Sequence, residues 1–371
     1  MNASPLSAAV VDLDDTEGLL AADRQGLLRA ASMAGAQVRA TAAALDEGVL
    51  ESLRSDAPPR TVVWVAGRGS AETAGSLLAA VLGGTISAPI VVATEAPPWL
   101  GALDVLIVAG EDSGDPSLVT AAATGVRRGA RVVVIAPYEG PLRDATAGRS
   151  VALPPRLAVP DDFTLVRYLA AGLAVLGVIA PGVYADLAAM ADELDAEAFR
   201  NSAGRELFTN PAKELTQRMA GRDVVFAGDT VAMLTLARHA CSMMLRVAQQ
   251  VVGGAGLSDV LVALGSGWGR DSHAGHEASI FHDEEIDGPL PRRTRTIVLT
   301  SDADRPGVSA RLRGFDDVDV MNANDVPDAV TTGGDVPGAE MTPGNARPEQ
   351  QLALLAVRLE MAAVYQRLIR G

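Results

Sequence analysis

Two short segments rich in glycine and hydroxyl groups are where this sequence could do chemistry. GRGSAET (67–73) and GEDSGDPS (110–117) combine small residues that let a ligand approach the backbone with serines able to bond it. A third concentration of reactive groups lies in HAGHEASIFHDEE, which carries His273, His276, Glu277, His282 and Glu284. Imidazoles exchange protons near neutral pH and carboxylates can take them from carbon or oxygen. The same groups at short spacing could ligate zinc or a similar ion. HAGHE is not the zincin signature, a polar surface loop accounts for it more simply, and no metal is expected. Lys213 is the sole lysine, so lysine chemistry would have to use it. The single cysteine, Cys241, sits in the apolar stretch LARHACSMML and reads as a small buried thiol. With no partner for an intramolecular disulfide, it suits a reducing, cytoplasmic setting.

The elements around these segments alternate. TVVWVAG (61–67), APIVVAT (88–94), DVLIVAG (104–110) and ARVVVIAP (130–137) are continuous apolar runs, the pattern of strands buried on both faces of a parallel sheet. Helical patterns separate them, one ending in RRGA with basic residues and a glycine at its C-terminus. A second cycle follows in RDVVFAG (222–228), RTIVLTS (295–301) and DVDVMNA (317–323). This predicts an α/β protein of two flavodoxin-like, three-layer subdomains at 56–200 and 201–371, after an N-terminal helical segment at 1–55 with one or two helices. Residues 325–348 read as a loop, and PEQQLALLAVRLEMAAVYQRLIRG as an amphipathic closing helix. In open parallel sheets, ligands sit beyond the strands' carboxyl ends. Gly67, Gly69, Ser70, Ser113, Gly114 and Ser117 therefore become candidate ligands for a phosphate or sugar phosphate.

Composition narrows the classes. Of 371 residues 48% are hydrophobic but 4% aromatic, so the cores must be built of Ala, Val and Leu, as where helices pack on parallel strands. A net charge of −15 argues against nucleic acid, whose phosphates demand clustered Lys and Arg. Asp12, Asp14 and Asp15 stand where a signal peptide needs basic and then apolar residues. The longest apolar stretch, 165–181, is interrupted by Arg167 and reads as a buried helix, so no membrane partner is expected. GRGSAET lacks the third glycine of a dinucleotide fingerprint, and Glu95, the nearest acid, comes too late, which disfavours a nicotinamide enzyme.

From about residue 60 onward, these motifs resemble the bifunctional phosphoglucose/phosphomannose isomerases, a family built of sugar isomerase (SIS) domains. GRGSAET is similar to the family's first-strand loop, SGD (113–115) to its SGN loop, NPAKEL (210–215) to the opening of its second domain, and FHDEEIDG (281–288) to its HNE segment. The resemblance implies two SIS domains, a homodimer with shared sites, and cofactor-free interconversion of glucose 6-phosphate or mannose 6-phosphate with fructose 6-phosphate. It also implies roles. His282 falls on the catalytic histidine with Glu284 following, Ser70 and Ser113 on phosphate-binding serines, and Arg167 on the arginine, although a shifted alignment puts Asp161 or Asp162 there. Departures are as plain. Glu111 and Pro116 stand where the family has a serine and a threonine, and Gln249 or Gln250 stands near its glutamate base. Its C-terminal lysine has no counterpart. Glu277 could substitute as base. Asp112, Asp115 and Glu111 would repel phosphate, which keeps open a binding or scaffolding relative without turnover.

Overall fold

The computed structural model describes residues 11–55, 57–180, 182–268, 293–325 and 347–370. The chain forms two compact units. One comprises Arg29–Phe199 with Pro348–Val357; the other takes the chain up to Leu28, Arg200–Arg347 and Arg358–Gly371. The segment before the first strand is thus shared between them. Its helices are α1 (Thr16–Ala22), α2 (Leu27–Ala31) and α3 (Ala34–Asp46). They are more broken than the expected one or two helices, because Gly26 turns into the left-handed region and Asp23 caps the next start through the amides of Leu27 and Leu28.

The first unit is built on five parallel strands, β1 (Val62–Ala66), β2 (Ile90–Ala93), β3 (Val105–Ala109), β4 (Arg131–Ile135) and β5 (Ser150–Ala152), in the order β2-β1-β3-β4-β5. Pairing of Val63 with Leu106 and of Val108 with Val134 puts alternate residues on a common face. On that face Val63, Val65, Leu106, Val108, Val132 and Val134 pack against Leu118, Ala121, Ala122 and Val126 of α5 (Pro116–Arg128). The opposite face turns Trp64 toward α4 (Ser70–Leu82) and α7 (Leu165–Ile179), where Gly75 and Gly172 leave room for the indole. The indole N–H donates to the Ala71 carbonyl at 3.0 Å, so the ring is both packed and satisfied. Between these helices in the chain lies α6 (Gly140–Thr146), and α8 (Leu187–Arg200) follows α7.

The second unit contains β6 (Arg222–Gly228), β7 (Gly253–Gly256), β8 (Arg293–Leu299) and β9 (Val318–Met321), all parallel, in the order β7-β6-β8-β9. Helices α9 (Pro211–Met219), α10 (Val231–Arg246), α11 (Leu257–Gly265) and α12 (Arg305–Arg311) accompany them, with the part of α13 (Pro348–Leu368) from Arg358 onward. Ala227 and Val298 join Leu257, Val260, Leu264, Val308 and Leu312 in its core. Both sheets place their second strand outside the first and return to the other side for the third, so the architecture repeats where the sequence does not.

Three sequence expectations change. Around Gln249 and Gln250 the chain is not helical, since α10 stops at Arg246, and Gly253–Gly256 is an edge strand that the sequence reading missed because its glycines carry no β-propensity to announce it. The three-residue β5 was also missed. The closing helix is not amphipathic, since Leu352–Val357, Leu359 and Met361–Tyr365 are all nearly inaccessible. Its charges are buried with partners, Arg358 donating to the Asn322 and Ala323 carbonyls and Glu360 lying 3.0 Å from His239. The loop expected at 325–348 lies almost entirely outside the described residues.

Candidate functional site

In the first sheet the winding reverses between β1 and β3, and the crevice beyond their carboxyl ends is where such a sheet receives a ligand. The two glycine loops meet there. The Gly67 amide donates to the Ala109 carbonyl at 2.7 Å, and a Cβ on Gly67 would stand 3.5 Å from the Gly110 Cα. Two helix N-termini follow, and they differ in how their amides are used.

α4 starts after Gly69, whose φ of 78° lies in the left-handed region that glycine adopts most readily. No side chain among the described residues caps this helix. Its leading amides and the positive end of its dipole are left for an anion. Ser70 is buried there, its hydroxyl 3.4 Å from the Asp161 carbonyl. Arg68 is exposed beside it and has no ion pair among the described residues.

α5 is closed by its own sequence. Asp115 accepts from the Ser117 amide at 2.8 Å and the Leu118 amide at 3.5 Å, Asp112 accepts from Gly114 at 2.7 Å, and Pro116 has no amide to offer. The Gly114 and Ser117 amides thus already serve carboxylates. Ser113 stays half-exposed on the turn.

Between the loops runs a network. Glu111 accepts from the Thr164 hydroxyl at 2.7 Å and from Arg167 Nη2 at 3.0 Å, and the single Thr164 hydroxyl proton is shared with the Asp161 carbonyl, 2.8 Å away. Ser70 and Arg167, far apart in sequence, are thereby joined through Asp161, Thr164 and Glu111. Arg167 lies in the first turn of α7 and is buried, its guanidinium 4.1 Å from the centre of the Tyr168 ring. Its Nε and Nη1 have no hydrogen-bond partner among the described residues. Burial pushes the Tyr168 hydroxyl well above its ordinary pKa, so it stays protonated. The sequence reading missed Thr164 and Tyr168; a threonine directly before an apolar helix was the available signal.

Other candidates fall elsewhere. His282, Glu284 and Glu277, with His273 and His276, lie outside the described residues. Gln250 precedes β7 at the amino end of the second sheet, where it accepts from Gln366 at 2.8 Å; its neighbour Gln249 is exposed. Lys213 is fully buried. Its ammonium donates to the Ala203 carbonyl at 2.8 Å and the Arg205 carbonyl at 2.6 Å, and burial holds its pKa below the ordinary lysine value. It ties the NPAKEL helix to the preceding turn. Cys241 donates to the Gly253 carbonyl at 3.1 Å, and burial pushes its thiol up to about 11, far from thiolate chemistry at neutral pH. At the second sheet's reversal, between β6 and β8, Thr300 donates to Asp229 at 2.6 Å, with Asp304 nearby raising the Asp229 pKa further above what burial does. Among the described residues no cluster of His, Cys, Asp and Glu could hold a metal, and no helix is long and apolar enough to cross a membrane.

No protein-family model matches the chain, and no curated protein does. Solved structures do. Tagatose-6-phosphate ketose/aldose isomerase from Escherichia coli aligns over 100% of this chain and 96% of its own, at a TM-score of 0.57 and 14% identity. A glucose-6-phosphate isomerase like protein from Thermus thermophilus aligns over 97% and 96%, at 0.54 and 18%. The C-terminal domain of glucosamine-fructose-6-phosphate aminotransferase from Francisella tularensis aligns over 94% and 97%, at 0.56 and 11%. The chain has the double SIS fold. At these identities the likeness carries the fold alone, and the SIS site must be argued from the residues present.

Proposed function

We propose that the chain binds a hexose 6-phosphate at the loop between β1 and α4 and interconverts glucose 6-phosphate or mannose 6-phosphate with fructose 6-phosphate, as a cytoplasmic homodimer without metal or cofactor. The observation that carries this reading is the uncapped N-terminus of α4 at the β1/β3 reversal, with Gly67, Gly69, Ser70 and the exposed Arg68 around it. Support comes from the fold, shared with structures named for sugar phosphates. Membership of the bifunctional isomerase family belongs to the same proposal.

Moving a carbonyl between C1 and C2 requires a group that shifts the carbon-bound proton, an acid-base for ring opening, and positive charge near the enediolate. His282 with Glu284 would open the ring, and Glu277 would move the proton. Arg167 would supply charge. A second reading is favoured by one observation: Glu111 already neutralises Arg167, which suits a relative that binds a sugar phosphate without turnover. Incubation with glucose 6-phosphate or mannose 6-phosphate, following fructose 6-phosphate, separates the two. The isomerase reading predicts turnover that falls by at least about a hundredfold in His282→Ala. No turnover in either protein would leave the binding reading in its place.

A further inference from the structure

We propose that Glu111 is a built-in occupant of an anion site formed by Thr164 and Arg167, and that a phosphate group enters this site only by displacing it. The inference rests on the sugar-phosphate reading for its biological sense, since it concerns control of the same crevice, but its geometry stands separately.

Three observations carry it. The first is the direction from which the carboxylate arrives. Thr164 and Arg167 are 3% and 7% exposed, whereas the Glu111 side chain retains 23%, so a solvent-side group reaches inward to two buried donors, as a ligand would. Both carboxylate oxygens are engaged, one by the hydroxyl at 2.7 Å and the other by the guanidinium at 3.0 Å.

The second is that the receiving cation is built to stay. Arg167 is held against the Tyr168 ring and keeps Nε and Nη1 without partners among the described residues. A buried guanidinium left with no anion is strongly unfavourable, so if Glu111 swings out, another anion is drawn in. Phosphate offers more charge and more acceptor oxygens than one carboxylate, and can use the donors that Glu111 leaves idle.

The third is that the loop bearing Glu111 needs no anion for its own shape. Asp112 and Asp115 satisfy the Gly114, Ser117 and Leu118 amides, so the turn stays closed whether or not Glu111 is in place. The exchange can therefore be confined to one side chain. Glu111 then acts as an internal competitor, setting the phosphate concentration at which the second half of the crevice fills.

The test is calorimetric titration of the full chain with inorganic phosphate, with thermal unfolding in parallel. Glu111→Gln and Glu111→Ser should each unfold at lower temperature than the wild type, bind phosphate at least about tenfold more tightly, and recover their unfolding temperature when phosphate is added. The gain should vanish in the double variant Glu111→Gln with Arg167→Met. Should neither single variant fold, Glu111→Asp, which keeps the charge but falls short of the two donors, takes their place with the same expected gain. Folded variants that bind phosphate no more tightly than the wild type overturn the inference, as does an equal gain in the double variant. Glucose 6-phosphate separates this from the underlying reading. Its binding to the wild type with no Glu111 effect removes the inference alone, and a phosphate gain with no sugar-phosphate binding by any variant removes the reading alone.

Discussion

Lys213 and Asp229 both give up water on folding, and Lys213 is compensated by two carbonyl acceptors. The Lys213 ammonium ends on two carbonyls, so Lys213→Met would strand the Ala203 and Arg205 oxygens and should cost about 3 kcal/mol in urea unfolding. Asp229 has one oxygen bonded by Thr300 and the other, Oδ1, without a side-chain partner among the described residues, and burial raises its pKa above the ordinary 3.8. A carboxyl whose folded pKa is raised favours the folded state while it is protonated. Its contribution is full below about 3.8 and is lost as pH climbs through the folded pKa. Asp229→Asn should therefore remove a fall in the urea midpoint as pH rises from about 3.8, leaving the neutral-pH midpoint equal or higher. A steeper fall in the variant would contradict this. At this scale the sequence showed which residues were rare but not what they touch. Lys213 stood out as the only lysine, yet nothing local revealed its carbonyl partners, and Glu111 read as a repulsive charge before its bond to Arg167 was visible.

Elements were legible where side chains carried the pattern and illegible where they did not. The apolar runs of β1, β3 and β4 announced strands buried on both faces, as found, and β6 is buried over its last three residues. β7 is Gly-Gly-Ala-Gly, which has almost no side chain to show a period, and it forms because β6 offers a parallel edge to pair with. The same sheet depends on glycine in another way. A Cβ at Gly228 would meet the backbone of α10, 2.1 Å from the Leu234 nitrogen and 2.3 Å from the Met233 carbonyl carbon. Gly228→Ala should thus cost at least about 2 kcal/mol by forcing α10 off the sheet. Gly84, with nothing within 4 Å, is the control, and Gly84→Ala should leave stability within about 0.5 kcal/mol. Equal effects of the two would contradict the close approach of α10 to β6.

At the scale of the molecule, two parallel α/β units were readable because strand and helix patterns alternate twice along the chain, whereas the winding they share was not. The role of α13 was not. Its residues feed both units, Pro348–Val357 with the first and Arg358 onward with the second, and buried charges had masqueraded as a polar face. Deleting 348–371 should leave both cores open and give a chain with lost near-ultraviolet circular dichroism and a strong tendency to aggregate. Retention of a sharp, cooperative unfolding transition would show that α13 matters less than its burial implies. The site divides along the same line between pattern and contact. The glycine loops were found from sequence, whereas the contrast between an open α4 terminus and a self-capped α5 terminus emerged only from hydrogen bonds. That contrast is the centre of the account, and calorimetric titration with glucose 6-phosphate tests it most directly. The wild type should bind, Arg68→Ala should bind about tenfold more weakly, and Arg311→Ala, an exposed arginine on α12, should match the wild type. Absence of binding, or binding indifferent to Arg68, would contradict it.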